Sequence, residues 1–560
     1  MTQAMEGLKH QKVSSKALPD SSPSDIVRQY HERTKHSFHA YAKGPETLDW
    51  DAQPNPFRNF VGAETFPLLL QDSFDETRYF DLFKTPVAAK PITLSSISSF
   101  LRYSLGLTAW KQYGPDKWSL RVNPSSGNLH PTEAYVLLPN VINELGTGLF
   151  HYNVEQHLLE KRADISSPTL AENSFYIALT SAMWRELWKY GERGFRYTQL
   201  DIGHAISAIV LSAKAHGWEV AILDGLNPLK LSELLGLDRE EYFDVEKEIP
   251  ECLLMVGSGI KQVRESYIEF DFPEASTWHG RPSLLGERSL YQWPWAEKVA
   301  DACLSKAENI AEQLSLISDV VSPVDCYSES TGVDADSSFT QAALQRRSAQ
   351  KFETSSISFA HFKTLIESLL SFRQPIFTEN ISPINLVIMI HRVEGLEPGI
   401  YMLPSSSANI NALRSACTQW PEWTAMSEFG GDNIPMYQLK VANVQKATQT
   451  LCCQQAIASE SAFVLGFLAD FDQSIDQLGA SSYRHLYWQA GMLSHQVYMS
   501  STALNLAATG IGCFFDEPWM GLLGIESTQI QMLYATAVGH PMVDHRITSF
   551  SGYYYLPERI

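Results

Sequence analysis

Three short stretches of this chain hold residue types that could do chemistry. RVNPSSGNLHP at 121–131 gathers Pro124, Ser125, Ser126, Gly127 and Asn128 around Arg121. Two hydroxyls, a permissive glycine and an amide would let backbone and side-chain donors approach a planar polar ligand, although ordinary surface turns use the same residues. RRSAQKF at 346–352 puts Arg346, Arg347, Ser348 and Lys351 close together. Guanidinium groups match phosphate oxygens two at a time, so this run is either a phosphate clamp or a solvated basic turn. WKYGER at 188–193 sets Lys189 beside Tyr190. Such a pair is a proton relay where burial tunes it, and otherwise a helix-end charge. His204 and His495 lie in or near apolar helical stripes and read as hydrogen-bonded packing residues. HExxH, clustered His and Cys, dense carboxylates, GxGxxG and P-loop patterns do not occur, so no metal, Rossmann or P-loop motif is read.

Regular elements must carry these groups, and the elements come twice. TLSSISSFLRYSLGL reads as a capped helix, PSSGNLHPTEAYVLLPN as a turn entering a strand, and GTGLFHYN as the start of another strand. In the second half SISFAHFKTLIESLL, SPINLVIMIHRV and EPGIYML keep that order. A longer unit follows in each half, FRYTQLDIGHAISAIVLSAKAHGWEV at 195–220 and SYRHLYWQAGMLSHQVYMSSTALNLAATGIGCFF at 482–515. Ile202, Ala205, Ile206, Ile209, Val210 and Ala213 recur three and four residues apart, the stripe of a buried helix that Gly217 caps. Each unit then passes through an LLG segment into LLMVG or LYATAVGHP. Two copies of one α+β fold are expected. The partition read from composition is a polar leader over 1–24, interrupted by Pro19 and Pro23, a first domain over 25–265, a linker with a connecting helix over 266–340, and a second domain over 341–560. The junction is placed in the Ser/Asp/Gly-rich stretch at 318–340.

At 560 residues with 44% apolar and 19% charged side chains, the chain has material for two large cores. Lys and Arg number 43 against 63 Asp and Glu, and a net charge of -20 repels the phosphates that dominate nucleic-acid affinity. Cys252, Cys303, Cys326, Cys417, Cys452, Cys453 and Cys513 form no CxxC pair and no even framework, which suits reduced thiols in a cytoplasm. The N-terminus has no apolar signal region and no apolar run is long enough to span a membrane. A cytoplasmic protein with neither nucleic-acid nor membrane partners is expected.

Together, RVNPSSGNLHPTEAY, WKYGERGFRYTQLDIGH, RRSAQKF and TGIGCFFDEPWMGLLGI resemble the flavin-binding and helix motifs of the nitroreductase superfamily, in particular its SagB/ThcOx-type dehydrogenases. The likeness runs from YHERTKHSFHAYAKGP to VGHP and is weakest from about 270 to 335. It implies two tandem nitroreductase-like α+β domains that pair as an intramolecular pseudo-dimer, with central antiparallel-type sheets flanked by helices and FMN at the interface. Carried over residue by residue, it implies that Arg346, Arg347 and Ser348 hold the phosphate, with Arg546 a weaker candidate. Arg121, Pro124, Ser125, Ser126 and Asn128 would close the site from the first half, Gly512 and Cys513 would lie near flavin N5, and Lys189 and Tyr190 would be catalytic. Where the first half should repeat RRS it has DETRYFDLFKTP, and where the second should repeat PSSGN it has FTENISP. One complete and one degenerate site follow. The implied activity is an FMN-dependent oxidoreductase taking hydride from a heterocycle or peptide-derived substrate, with oxygen or NAD(P) as the open choice of electron partner. An NAD(P)H-dependent nitro- or quinone-type reductase is the alternative enzyme, and a flavin-degenerate scaffold of a peptide-modifying complex the alternative outside enzymology. Fused halves allow a monomeric pseudo-dimer, with or without further self-association.

Overall fold

The computed structural model describes residues 21–559 except 71–76, 139–141, 143–144, 166–172, 224–225, 240–242, 244–245, 261–274, 287–290, 305–336, 373–383, 406–409, 430–435, 527 and 558. Most of the expected leader, most of the expected junction and the FTENISP stretch therefore lie outside the described residues.

The described chain opens on a helix, Pro23–Arg33, fixed by a capping box: Ser22 Oγ accepts the Asp25 N–H and the Asp25 carboxylate accepts the Ser22 N–H. Pro23, read above as breaking a leader, is the first helical residue, where its missing N–H costs nothing. Thr93 caps the helix Leu94–Ser104 in the same way.

Each half then builds an antiparallel sheet. In the first, Leu158–Ile165, Gly148–Asn153, Thr132–Leu138, Ser174–Ser181, Ile249–Gly257 and Glu219–Ile222 lie side by side in that order. In the second, Tyr437–Val441, Gly399–Leu403, Asn385–Ile390, Phe463–Asp470, Ile530–Gly539 and Ala507–Ile511 follow the same succession. Two copies of one α+β fold are therefore present, each with mixed helices on an antiparallel sheet. The stretch read as linker is partly built into the first copy, since Ala275–Trp278 adds an edge strand beside Leu158–Ile165. The LLG segments end helices, Pro228–Leu235 and Asp516–Leu523, and Gly236 and Gly524 take the left-handed position after each.

The halves share one hydrophobic cluster that reaches from Val27 to Tyr553. At its centre the helices Gly194–Ala215 and Ser482–Ala503 cross. A Cβ on Gly203 would come within 2.9 Å of Gly491 Cα, and one on Gly491 within 3.0 Å of Gly203 Cα, so the crossing distance depends on both glycines. The chain ends also change sides. Thr548–Ser551 pairs with Leu107–Tyr113 of the first half, which pairs in turn with Asp116–Arg121. Arg28 in the first helix meets Asp472 of the second half at 3.2 Å.

Candidate active site

The turn after Asp116–Arg121 is tight, with Gly127 at φ 59° and Asn128 at φ 61°. Asn tolerates this region, but Gly127 has a second reason to lack a side chain. A Cβ there would sit 2.6 Å from Tyr190 Oη and 3.0 Å from Lys189 Nζ. Lys189 and Tyr190 are the last residues of the helix Trp184–Tyr190, so one helix end closes over the turn.

The side chains of the turn bond inward. Ser126 donates its N–H and its Oγ–H to Asp201 at 3.0 and 3.2 Å. Ser125 Oγ accepts the His130 N–H at 2.8 Å, and Asn128 Nδ2 donates to the Ser119 carbonyl at 2.9 Å while its Oδ1 lies 3.0 Å from His130 Nε2. The hydroxyls and amide read from sequence as ligand donors thus brace the turn itself. Asp201 is buried on the helix Gly194–Ala215, and burial raises its carboxyl to about 7 against the lowering pull of Ser125 and Ser126. Burial and the neighbouring Asp201 hold Glu186 well above the carboxylate range. Tyr190 is pushed well above the usual phenol value, by burial first and then by Glu186.

A second cluster has the opposite character. Arg346 is 3% exposed. Its Nη2 donates to the Arg121 carbonyl at 2.8 Å, while Nε and Nη1 have no hydrogen-bond partner among the described residues. Arg347, half-buried, donates to Thr108 Oγ1 at 3.1 Å and to the Leu344 carbonyl at 2.8 Å. Burial pushes Arg346 down to about 10, and burial with the Arg346 charge does the same to Arg347. Arg121 is also pushed down to about 10 by burial, with Glu133 opposing, and Lys111 is lowered by burial and by Arg347. Buried cations are normally paired, and this group gathers positive charge with no carboxylate of the described residues against Arg346 or Arg347. That arrangement suits an anion.

Both clusters face one cavity of about 940 Å³. Arg121, the turn Pro124–Asn128, Tyr190 and Asp201 wall it from the first half, and Arg346, Arg347, Ser348, Gly512 and Cys513 from the second. The Gly512 carbonyl accepts from Tyr197 Oη at 3.1 Å and from Arg193 Nη2 at 3.2 Å, which ties the halves together at the wall. Behind it, Arg193 and Arg196 pair with buried Asp516 at 3.0 and 2.8 Å. Burial alone would raise Asp516, but the two guanidiniums outweigh it and keep the carboxyl below its ordinary value.

Some candidates stand elsewhere. Arg546 is exposed and engaged by Asp544, two residues before it, at 2.7 Å, and it is not part of the cavity wall. Lys189 also lies outside the wall, against Gly127. His204 is in the wall with Nε2 3.4 Å from Tyr534 Oη, whereas His495 packs 5.9 Å from it with neither ring nitrogen bonded among the described residues. Sequence reading passed over Asp201, whose signal was an acid adjoining the apolar stripe of a long buried helix. It also passed over Lys111 and Tyr197, which carry no local signal.

A nitroreductase family profile matches residues 87–258 and again 343–540, together more than half of the chain. The chain belongs to the nitroreductase family. That family is one of oxidoreductases, and the chain is placed in that enzyme class. A solved structure from Anabaena variabilis that bears the name of a nitroreductase superposes with a TM-score of 0.66 over 92% of this chain and 99% of its own, at 22% identity, a likeness of fold. The trifolitoxin-processing protein TfxB of Rhizobium leguminosarum bv. trifolii is 28% identical over 193 residues, 32% of this chain and 47% of TfxB, so the match spans about half of that relative. The nitroreductase-named protein MJ1384 of Methanocaldococcus jannaschii is 25% identical over 184 residues, 31% of this chain and 84% of its own length. Among the described residues no helix is long and apolar enough to cross a membrane.

Proposed function

We propose that the chain is an FMN-dependent dehydrogenase that holds one FMN between its two halves and oxidises a heterocycle or peptide-derived substrate. One observation carries the reading. Buried Arg346 and half-buried Arg347, with no carboxylate against them among the described residues, face the same cavity as the turn that Lys189 and Tyr190 close over. Nε and Nη1 of Arg346, without a partner among the described residues, fit a phosphate, and about 940 Å³ accommodates the remainder of a flavin mononucleotide. Bound there, the flavin supplies a two-electron acceptor for a hydride from carbon.

The chain's own residues bind, orient and move protons. Arg346 and Arg347 neutralise the phosphate, and the braced Pro124–Asn128 turn supplies a rigid wall. Tyr190 remains a neutral phenol, so in the resting site it donates from Oη toward a substrate. Asp201, at about 7, is the wall carboxylate best matched to accept a proton near neutrality, and Lys189 stands beside Tyr190 to assist it. The name of TfxB, a trifolitoxin-processing protein, supports a peptide-derived substrate. The test is purified protein with an azoline-containing peptide, read by mass. Loss of two hydrogens from the peptide supports the dehydrogenase. NADPH oxidation with a nitroaromatic, and no change in the peptide, would replace it with the reductase reading.

A further inference from the structure

The described cysteines fall into two groups. Cys303 and Cys417 are pushed up to about 12 by burial, Cys452 is raised further by the same cause, and Cys252 is buried. These are packing thiols. Cys513 and Cys453 are only partly buried and are hydrogen-bond partners of one another.

Their surroundings are built. Cys513 follows Gly512 in the cavity wall. Its second partner is His36, whose Nδ1 accepts the Ala42 N–H at 2.9 Å, so that the ring hydrogen of the neutral imidazole sits on Nε2. Arg193 donates to the Gly512 carbonyl at 3.2 Å and brings its positive charge to the same place. The two cysteine segments are tied at two points, by the Phe515 N–H on the Leu451 carbonyl at 2.8 Å and by Gln455 Nε2 on the Cys513 carbonyl at 3.1 Å. Cys453 and Gln454 both hold left-handed backbone, φ 52° and 61°, a conformation that non-glycine residues keep only where their surroundings impose it. A sulfur that receives two donors beside a guanidinium is favoured as a thiolate.

We propose that Cys513 and Cys453 are a redox-active dithiol that reduces small disulfides, with Cys513 attacking and Cys453 resolving. The Cys513 thiolate attacks one sulfur of R–S–S–R, forming a Cys513–S–S–R bond and expelling RS⁻. The Cys453 thiol gives its proton to that RS⁻ and attacks the Cys513 sulfur, forming the Cys453–Cys513 bond and expelling the second RS⁻. One thiol and one thiolate lose two electrons, and the disulfide becomes RSH and RS⁻. The pair is independent of the flavin reading, because nothing in the exchange passes through that cofactor.

The titration agrees with the geometry. The Cys453 hydrogen bond first, then His36 and Arg193 against the opposing burial, bring Cys513 down to about 5, and Cys453 is raised in turn. Tyr41, Tyr190, Tyr197 and Cys452, the other titratable groups near the pair, all sit above their ordinary values, and Asp516 acts on it through His36. At pH 6 a thiol at about 5 is roughly 300-fold richer in thiolate than one at about 8.5, and its lower intrinsic nucleophilicity leaves roughly a tenfold net advantage.

The test uses the full chain, reduced with dithiothreitol, desalted and exposed to glutathione disulfide, with sites mapped by peptide mass. The wild type should yield a Cys453–Cys513 cross-linked peptide, Cys453→Ser a glutathione adduct held at Cys513, and Cys513→Ser neither. Iodoacetamide at pH 6 should label Cys513 of the wild type roughly tenfold faster than free glutathione. A wild type without the cross-link, or one whose Cys513 labels no faster than free glutathione, overturns the proposal, and neither outcome depends on a variant folding.

Discussion

Arg346→Met should move protein stability and flavin affinity in opposite directions. The guanidinium is 3% exposed, and burial holds its pKa at about 10 rather than about 12.5. At about 1.4 kcal/mol per unit, keeping it charged at neutral pH costs the flavin-free protein about 3 kcal/mol. Methionine keeps the apolar stem, removes the charge and leaves the Arg121 carbonyl without its donor, which returns about 1 kcal/mol. The flavin-free variant should therefore gain about 2 kcal/mol. With an unfolding entropy near 1.2 kcal/mol/K for a chain of this length, its Tm rises by about 2 °C. In the complex a charge-assisted bond to phosphate disappears, worth about 1.5–3 kcal/mol, so the FMN Kd should weaken about 10- to 150-fold. Differential scanning fluorimetry of flavin-free protein and fluorescence titration with FMN read the two quantities. A variant that melts lower without flavin and binds FMN like the wild type would refute the assignment of Arg346 as a charge held for an anion.

Asp201→Asn should stabilise the protein in a pH-dependent way. A carboxyl raised from about 3.9 to about 7 contributes stability that is complete below pH 3.9 and lost as pH rises through 7, about 4 kcal/mol in all. The advantage of the variant in urea unfolding should grow from pH 4 to pH 8, and a flat difference would remove Asp201 from the account. Tyr190→Phe should lower turnover by about 100-fold or more while FMN content stays unchanged, and full turnover would show that its Oη moves no proton. Gly491→Val should cost more than about 3 kcal/mol and lower the urea midpoint, because a Cβ on Gly491 would collide with the Leu200 carbonyl, fall 3.0 Å from Gly203 Cα and force the helices apart. An unchanged midpoint would mean that the crossing has slack.

The fold was legible where local chemistry and periodicity agreed. Thr93 and its serine-rich helix, the strands AYVLL and NLVIMI, and the stripe from Ile202 to Ala213 all stand where spacing placed them, because capping and face burial are local rules. Pro23 misled, since a proline ends a segment or starts a helix according to the cap before it, and Ser22 decides which. The first sheet also hides charge that no pattern announces: His151 lies between Glu133 and Glu160 at 3.1 and 2.9 Å, and Arg185 meets Glu133 at 2.7 Å, all buried. Such residues read as solvent-facing until their partners on other strands and on the helix Trp184–Tyr190 are known. In the site, residue types were readable but directions were not. Ser125, Ser126 and Asn128 bond back into the protein, and Arg546 turns to Asp544. Asp201 and Cys453 gain meaning only from groups far away in sequence, Ser126 for one and Cys513 for the other.

The central claim is a single flavin site assembled from both halves, and FMN stoichiometry tests it most directly. Equilibrium dialysis of the wild type, of Arg347→Ala from the second half and of Gly127→Ala from the first should give one FMN per chain for the wild type and a large loss of affinity for each variant. Two FMN per chain, none at all, or either variant binding like the wild type would contradict it.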